Sequence, residues 1–392
     1  MDAAEFSDYL ERCRILVYEE LRRIVPEGSL GPALYDRMLD YPRRTAKALR
    51  PALCIASCRA FGGGLQAVLQ TAAVIELFHN AFLLHDDVED GSELRRGLPT
   101  LHAEFGVPIA VNVGDAMLAI ALGPLLDNTR TIGLGKALRV LRLVADMARV
   151  TAEGQALELE WTRTRRFDLA DADYVSMVER KTAHYSFVTP LLVGALIAGA
   201  PPDTVDRLRG FGRDLGIAFQ IQDDVLNLTG EYGKELDGDL YEGKHTLILL
   251  HLLRSVSEDE REIVAAILAK PRPTAPTAPG EPRQGGGTAL AGVRAAVGAL
   301  TGRLTREEIE YLLLACDAAE RALTLSTKTP EDVALLKGLV MKYGSIEYAR
   351  AIAADWARRA ERGLAEIRPH LLASADIEFL DTLVGYVVER TR

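Results

Sequence analysis

Hydrophobic positions recur at three- and four-residue spacing along most of this 392-residue chain. This spacing places apolar side chains on one face of an α-helix, so it predicts amphipathic helices that pack around a shared core. Alternating apolar and polar runs, which would predict β-strands, are hard to find. The pattern therefore predicts an all-α fold, a single large helical bundle. The main predicted helices span residues 6–24, 49–60, 66–90, 109–126, 135–162 and 203–228.

One segment interrupts the helical pattern. From residue 270 to 287 the sequence reads KPRPTAPTAPGEPRQGGG, which offers almost nothing to bury and is typical of a loop or linker. The helices predicted after it are too few and too amphipathic to form a core of their own. We therefore expect one domain over residues 1–392, with an insertion at about 270–330. The later helices are predicted at residues 290–300, 307–325, 334–367 and 377–389.

Composition narrows the class of protein. A net charge of −10 disfavours broad electrostatic binding to nucleic acid. The chain has only 4 cysteines, too few for a disulfide framework, and we predict that Cys54 and Cys58 are core thiols rather than zinc ligands. The acidic amino terminus lacks the apolar segment of a secretory signal. The longest apolar stretch, residues 187–200, is shorter than the roughly 20 residues of a membrane helix. We therefore expect a cytoplasmic protein without a transmembrane segment.

An acidic cluster stands at the end of the predicted helix 66–90. Asp86, Asp87 and Asp90 lie in the sequence LLHDDVEDGSELRRG. Asp86 and Asp90 are one helical turn apart, so their carboxylates share a face and repel each other. A divalent cation would explain this arrangement, and oxygen ligands without His or Cys favour Mg²⁺ over Zn²⁺. A solvated helix end is the alternative explanation.

A second acidic cluster ends another predicted helix. Asp223 and Asp224 lie in FQIQDDVLN, and Asn227 follows three residues later. Because Mg²⁺ usually binds through one or two carboxylates plus substrate phosphates, two such clusters across a cavity could hold a diphosphate. Arg suits bidentate phosphate contacts and Lys suits point-charge contacts, although each basic residue alone could be a solvated surface residue. The candidate cations are Lys47, Arg50, Arg95, Arg96, Lys181, Lys234 and Lys244.

The two ordered aspartate motifs, with Arg95-Arg96-Gly97 after the first, resemble those of the trans-isoprenyl diphosphate synthases, the polyprenyl synthetase family. The chain is most similar to geranylgeranyl diphosphate synthases, from residue 47 to the carboxyl end. The resemblance implies the isoprenoid synthase fold, a helical bundle around a central cavity. It also implies a homodimer and a Mg²⁺-dependent condensation of isopentenyl diphosphate with an allylic diphosphate (dimethylallyl, geranyl or farnesyl). Three Mg²⁺ ions per active site are expected with substrate bound.

The resemblance also implies roles for single residues. It assigns metal binding and catalysis to Asp86, Asp87, Asp90, Asp223 and Asp224, and a further catalytic role to Lys181. It assigns contacts with the allylic diphosphate to Arg95, Lys181, Thr182, Gln220, Lys234 and Lys244. It assigns the isopentenyl diphosphate pocket to Lys47, Arg50, His79 and Arg96; for His79 an ordinary core position is the alternative. Two departures from the family pattern are Thr45-Ala46 in place of Gly-Gly, and Asn227 in place of Asp.

The residues before the first aspartate motif bear on product length. In the family, the residues four and five before that motif often form the floor of the hydrocarbon tunnel; here they are Phe82 and Ala81, with Phe78 one turn further back. Ala81 leaves room, and the two rings could close the tunnel at moderate depth, unless they are ordinary core residues. We expect a C20 product, geranylgeranyl diphosphate, with C15 or longer chains as alternatives.

Other functions remain open at the level of the sequence. A class I terpene cyclase would share the ionisation chemistry but should lack the second Asp-Asp pair and the Arg-Arg-Gly sequence. A non-catalytic subunit of a prenyl synthase would typically have lost one acidic cluster. A helical scaffold that binds only structural cations is the third alternative.

Overall fold

The computed structural model describes residues 1–44, 47–230, 237–273, 305, 307–309, 311–314 and 327–389. Helices dominate this part of the chain, which confirms the all-α prediction. In chain order they are α1 (Ala3–Ile24), α2 (Asp36–Met38), α3 (Asp40–Arg43), α4 (Leu49–Ala60), α5 (Leu65–Asp90), α6 (Leu101–Phe105), α7 (Val107–Ile120), α8 (Leu122–Ile132), α9 (Leu134–Thr164), α10 (Asp171–Val178), α11 (Thr189–Ala198), α12 (Pro202–Thr229), α13 (Gly238–Glu242), α14 (Leu247–Ser255), α15 (Glu258–Leu268), α16 (Pro330–Lys342), α17 (Ser345–Ile367) and α18 (Ala375–Glu389).

Shorter elements connect these helices. A π-helical turn at Gly31–Tyr35 precedes α2, and a 3₁₀ turn at Arg368–His370 follows α17. A longer π-helical segment, Glu179–Val188, joins α10 to α11. Two short antiparallel strands, β1 (Leu94–Arg95) and β2 (Leu98–Pro99), form a hairpin after α5 that the sequence pattern did not predict.

Two predicted helices are each divided in the structure. The helix expected over residues 109–126 breaks at Ala121 between α7 and α8. Pro124 has no N–H to donate to the carbonyl of Ile120, so the helical hydrogen-bond ladder cannot continue there. The helix expected over residues 334–367 breaks at Gly344, whose φ of +63° is the left-handed conformation that ends helices.

The segment predicted as an insertion lies mostly outside the described residues. So does the helix predicted at 290–300; within 307–325, residues 307–309 and 311–314 are helical. The backbone N–H of Lys328 donates to the carbonyl of Pro271 at 2.9 Å, so the two ends of this stretch are neighbours. The one-domain organisation stays a prediction.

Helix α12 connects two parts of the hydrophobic core. Its first half contributes Phe211 and Leu215 to a cluster with α1, α4, α5 and α11. Its second half contributes Ile221 and Val225 to a cluster with α10, α14, α15 and α17. Packing on several sides fixes the carboxyl-terminal turns of α12, where Asp223 and Asp224 stand. Cys54 and Cys58 are free buried thiols, as predicted.

Two helical stretches in the described part of the chain are long and apolar enough to span a membrane by length and composition alone. Both contain polar residues, so neither forms a continuous apolar run in the sequence. In Leu65–Asp90, 78% of the most apolar part of the helix is buried, as expected of a core helix. In Val107–Ile132 only 33% of the most apolar part is buried, and this stretch therefore presents an apolar surface on the outside of the bundle.

Candidate active site

A cavity of about 1950 Å³ opens among α5, α9, α12 and the π-helical segment. Both acidic clusters reach it: Asp86 lines one side, and Asp223 and Asp224 line another. The structure therefore brings together the two motifs that lie far apart in the sequence.

The first acidic wall is the carboxyl end of α5. The helix stops after Asp90 because Gly91 takes a left-handed φ of +63°. Asp86 lies 3.3 Å from the Lys181 ammonium, and Asp90 accepts a hydrogen bond from Lys244 at 2.7 Å. Burial raises the pKa of Asp90 to about 7, although the charge of Lys244 acts in the opposite direction.

Asp87 has a different place from its two neighbours. Its carboxylate is fully buried, accepts a hydrogen bond from the Tyr41 hydroxyl at 2.6 Å and binds Arg95 through Nε at 2.9 Å. Asp87 does not line the cavity, and neither does Asp90. The structure thus places Asp87 against Arg95 and Tyr41 beside the first acidic wall, and its metal-ligand and catalytic role stays a prediction.

The β1–β2 hairpin carries the two arginines of the first motif. Arg96 and Gly97 occupy its two-residue turn, and both have positive φ, +56° and +77°. Such turns match the natural twist of paired strands. The hairpin turns Arg95 back towards Asp87, while Arg96 donates to the carbonyl of Tyr41 at 2.9 Å. Both arginines line the cavity.

The second acidic wall is held by neutral hydrogen-bond donors. Asp224 accepts from the Tyr174 hydroxyl at 2.6 Å and from the Gln220 amide at 2.7 Å. Burial, with a smaller contribution from the charge of Asp223, raises the pKa of Asp224 to about 7. Asn227 lines the same cavity, and its side-chain oxygen accepts from the backbone N–H of Asp239 at 3.1 Å.

Two adjacent residues of the π-helical segment connect the walls. Lys181 contacts Asp86 and also binds Glu158 of α9. Thr182 donates to the Gln220 carbonyl oxygen at 2.8 Å, and Gln220 in turn holds Asp224. π-Helical segments inside α-helices are frequent at functional sites.

Two glycines let this segment approach its neighbours. A Cβ atom on Gly154 of α9 would lie 2.3 Å from the backbone nitrogen of Lys181. A Cβ atom on Gly216 of α12 would lie 2.6 Å from the Cα atom of Ala183. Neither distance leaves room for a side chain, so both glycines are required for the placement of Lys181.

A second group of basic residues lies at another side of the cavity. Arg50 donates through Nε to Ser186 at 3.1 Å and through Nη2 to the Tyr185 hydroxyl at 2.8 Å. Its Nη1 lies 3.2 Å from His79 Nε2. His79 is 6% exposed, and burial with the nearby arginine charges lowers its pKa, which keeps the ring neutral. Lys47 contacts the hydroxyl of Tyr386 on α18.

The residues predicted to limit chain length do not all reach the cavity. Phe82 lines it, whereas Phe78 and Ala81 are buried and do not. The Phe82 ring lies 6.0 Å from the Phe78 ring and 5.6 Å from the Tyr185 ring, the latter edge to face. Phe78 thus lies behind the cavity wall, in contact with the Phe82 ring.

Several site residues could not be predicted from the motifs. Glu158, Tyr174 and Glu242 bind Lys181, Asp224 and Lys244 respectively. For Glu158 the sequence offers one signal, Gly154, one turn earlier on the same helix. A glycine inside a helix indicates that another segment packs closely there. Tyr174 and Glu242 carry no local signal. Lys234, Thr45 and Ala46 lie outside the described residues.

The donor set fits a hard divalent cation. Asp86, Asp90, Asp223 and Asp224 offer only oxygen ligands, which suit Mg²⁺. Within the described residues, no three His, Cys, Asp or Glu side chains converge as a preformed metal site. Lys181 and Lys244 neutralise the first wall in this structure, so a metal would have to bind together with a phosphate that draws these ammonium groups away.

Known proteins resemble this chain over most of its length. The Polyprenyl synthetase family matches residues 32–278. The geranylgeranyl diphosphate synthase of Sulfolobus acidocaldarius is 36% identical over 240 residues, 60% of this chain and 72% of the relative. The short chain isoprenyl diphosphate synthase of Methanothermobacter thermautotrophicus is 35% identical over 263 residues, 66% of this chain and 78% of the relative.

Solved structures of similar proteins share the fold. The geranylgeranyl pyrophosphate synthetase of Pyrococcus horikoshii superimposes with a TM-score of 0.74 at 28% identity, covering 99% of this chain and 98% of that one. The polyprenyl synthase of Caulobacter crescentus, complexed with calcium and isoprenyl diphosphate, gives a TM-score of 0.74 at 26% identity, covering 100% and 98%.

Proposed function

The chain belongs to the polyprenyl synthetase family, and we propose that it condenses an allylic diphosphate with isopentenyl diphosphate to give a longer trans-prenyl diphosphate. The enzyme is a prenyltransferase of the prenyl diphosphate synthase type. The observation that carries the proposal is one cavity that residues of both acidic walls, basic side chains and apolar side chains line together.

The carboxylates of the two walls are the proposed metal ligands. Asp86 and Asp90 on one side, with Asp223 and Asp224 on the other, would hold Mg²⁺. Bound there, Mg²⁺ would supply positive charge to stabilise the diphosphate as it leaves. The proposed number of ions, three with substrate bound, rests on the family resemblance alone. Asp87 keeps a positioning role through its bonds to Arg95 and Tyr41.

The basic side chains divide between two diphosphates. Next to the metal ligands, Arg95 and Lys181 reach the cavity, as does Lys244. We assign them to the allylic diphosphate together with Thr182 and Gln220; Lys234 stays a prediction from the sequence. Lys47, Arg50, His79 and Arg96 are assigned to isopentenyl diphosphate, as the family resemblance implies; all four line the cavity, and Arg50 Nη1 lies 3.2 Å from His79 Nε2.

The chemistry follows from charge separation in a shielded cavity. The allylic C–O bond breaks, and its electron pair leaves with the diphosphate. The double bond of isopentenyl diphosphate then attacks the allylic carbocation, and a proton is lost to the departing diphosphate. Lys181 and Arg95 stabilise the negative charge that develops, while Phe82, Leu83 and other apolar lining exclude water from the cation.

We propose geranylgeranyl diphosphate as the product, with Phe82 as the side chain that stops elongation. Removing its ring with Phe82→Ala should lengthen the product by at least one isoprene unit, measured by chromatography of the prenyl chains. An exposed ring outside the cavity, Phe105, offers the control Phe105→Ala. An unchanged product length would remove Phe82 as the stop.

We further propose that two copies of the chain form a homodimer in the cytoplasm. Helices α7 to α9 expose a series of large apolar side chains that a monomer would leave in water. They include Val107, Val111, Leu122, Leu126, Leu134 and Leu138.

Product analysis after incubation with Mg²⁺, isopentenyl diphosphate and farnesyl diphosphate tests the proposed function. We expect a linear C20 diphosphate. A cyclic hydrocarbon would instead support a terpene cyclase, and no turnover would support a non-catalytic subunit or scaffold. The second Asp-Asp pair and the arginine hairpin, both at the cavity, favour the synthase.

A further inference from the structure

We propose that Tyr185 is a positioning and specificity-determining residue that couples the isopentenyl diphosphate pocket to the wall that limits chain length. Its hydroxyl fixes Arg50, and its ring supports Phe82. The inference rests on the proposed function, because it takes Arg50 as a diphosphate ligand and Phe82 as a stop.

The hydroxyl acts on the orientation of the Arg50 guanidinium. Arg50 Nη2 donates to the Tyr185 hydroxyl at 2.8 Å, and the neighbouring Ser186 accepts from Arg50 Nε at 3.1 Å. The guanidinium also lies over the Tyr185 ring, 4.6 Å from its centre. These contacts fix the orientation of the guanidinium plane. Its remaining N–H groups are therefore oriented to bind a phosphate before the substrate arrives.

The ring of Tyr185 acts on the apolar part of the cavity. It meets the Phe82 ring edge to face at 5.6 Å and lies 6.0 Å from the ring of His79. Tyr185 lines the cavity and is half-buried, so it forms part of the wall itself. Phe82 is thus held between Phe78 on its own helix and Tyr185 on the π-helical segment.

The position of Tyr185 in the chain explains why one residue can serve both regions. It follows Lys181 and Thr182 on the same π-helical segment, Glu179–Val188, which Gly154 and Gly216 hold in close contact with α9 and α12. Lys181 and Thr182 belong to the acidic walls, and Tyr185 lies between Arg50 and Phe82. One segment therefore connects the two acidic walls, the isopentenyl diphosphate pocket and Phe82.

The first test separates the hydroxyl from the ring. In Tyr185→Phe the ring and its stacking remain, while Arg50 loses one hydrogen-bond partner. We expect KM for isopentenyl diphosphate to rise about fivefold, with KM for the allylic substrate, kcat and product length unchanged. The control Tyr348→Phe removes another tyrosine hydroxyl, bound to Asp171 away from the cavity, and should leave both KM values unchanged.

The second test removes the ring. Tyr185→Leu keeps an apolar side chain but abolishes the edge-to-face contact with Phe82. We expect the product distribution to shift to chains at least one isoprene unit longer. Calorimetric titration of isopentenyl diphosphate alone should show weakened binding in both variants, which gives a readout independent of turnover.

The outcomes distinguish this inference from the proposed function. If the wild type makes no prenyl diphosphate, the proposed function fails. If the wild type is active but Tyr185→Phe binds isopentenyl diphosphate as tightly as the wild type, the role of the hydroxyl is overturned. If Tyr185→Leu makes products of wild-type length, the role of the ring is overturned. Circular dichroism of each variant checks that the helical fold is retained.

Discussion

Single carboxylates of the two acidic walls are held in surroundings that disfavour their charge. Burial raises the pKa of Asp90 and of Asp224 to about 7 each. Groups of this kind lower the stability of the folded protein and are retained where function requires them. In Asp224 the cost is partly offset by hydrogen bonds from Tyr174 and Gln220.

Replacing Asp224 should therefore stabilise the enzyme while it removes activity. The ordinary pKa of 3.8 applies to the unfolded chain, whereas the folded pKa is about 7. Between these values the folded state binds more protons, so the free energy of unfolding falls as the pH rises from about 4 to 7. At pH 8 we expect Asp224→Asn to raise the free energy of unfolding by about 1–3 kcal/mol. The variant should therefore unfold at a higher urea concentration than the wild type.

The control for this measurement lies on the same helix. Asp206 of α12 is exposed, and Asp206→Asn should change neither stability nor activity noticeably. Urea unfolding of ligand-free protein at pH 5 and pH 8 gives the comparison. A loss of stability in Asp224→Asn at pH 8 would show that the carboxylate contributes favourably to the fold.

The residues that the sequence identifies lie in local motifs, whereas those that it misses contact the site from distant segments of the chain. Local spacing singled out the aspartate pairs, and the family resemblance assigned the roles of the cations, which stay predictions. Asp87 lies against Tyr41 and Arg95, a placement that helical periodicity could not give, because periodicity does not say which of two adjacent acids turns inward. Tyr174 and Tyr185 were missed, since their contacts join segments remote in sequence.

At the level of helices and loops, the residues that flank the 274–326 segment connect to the active site. Arg272 donates to Glu242 at 2.6 Å, and the other oxygen of Glu242 lies 2.8 Å from Lys244. Lys244 in turn binds Asp90. Lys328 donates to the carbonyl of Tyr241 at 2.8 Å. Arg272 and Lys328 form the base of this segment. They thus support Lys244, which faces the first acidic wall.

Replacing residues 274–326 should affect catalysis less than replacing Arg272 at the base of this segment. Replacing residues 274–326 by a short Gly-Ser linker keeps Arg272 and Lys328, and we expect kcat and both KM values to stay within about twofold of wild type. Arg272→Ala should raise KM for the allylic diphosphate by about three- to tenfold, because Glu242 loses its charge-assisted partner and Lys244 loses its position. Steady-state kinetics with each substrate varied in turn measures both.

A matched ion pair at the same base provides the control. Lys270 binds Asp332 at 2.7 Å without contact to Glu242 or Lys244. Lys270→Ala should lower stability slightly and leave KM unchanged. If Lys270→Ala and Arg272→Ala raise KM equally, the connection through Glu242 is not specific.

At the level of elements, the sequence predicted helices well and their breaks poorly. Apolar periodicity continues across Ala121 and Gly344, so it gave one helix where the structure has two. The π-helical segment has the same side-chain spacing as its α-helical neighbours to within one residue. The sequence therefore gave no sign of the π-helical backbone over Glu179–Val188.

For the whole molecule, the apolar surface on α7 to α9 predicts the state of assembly. Leu126 is 57% exposed and Leu134 is 64% exposed. The double variant Leu126→Glu with Leu134→Glu would place two charges in the proposed dimer interface, at a cost of several kcal/mol. We expect light scattering after size exclusion to show a dimer for the wild type and a monomer for the variant.

A comparable leucine-sized residue elsewhere tests whether the effect is local. Ile263 on α15 is 48% exposed, away from this surface, and Ile263→Glu should remain dimeric. A wild-type monomer at micromolar concentration would contradict the proposed assembly.

The most direct measurement of the central claim is the rate of prenyl transfer after one carboxylate is removed from each wall. Asp86→Ala and Asp223→Ala should each lower the rate by at least a hundredfold, about 2.7 kcal/mol in the barrier, while the helical circular dichroism spectrum is unchanged. A folded variant of either kind that keeps more than about a tenth of the wild-type rate would contradict the role of the two walls.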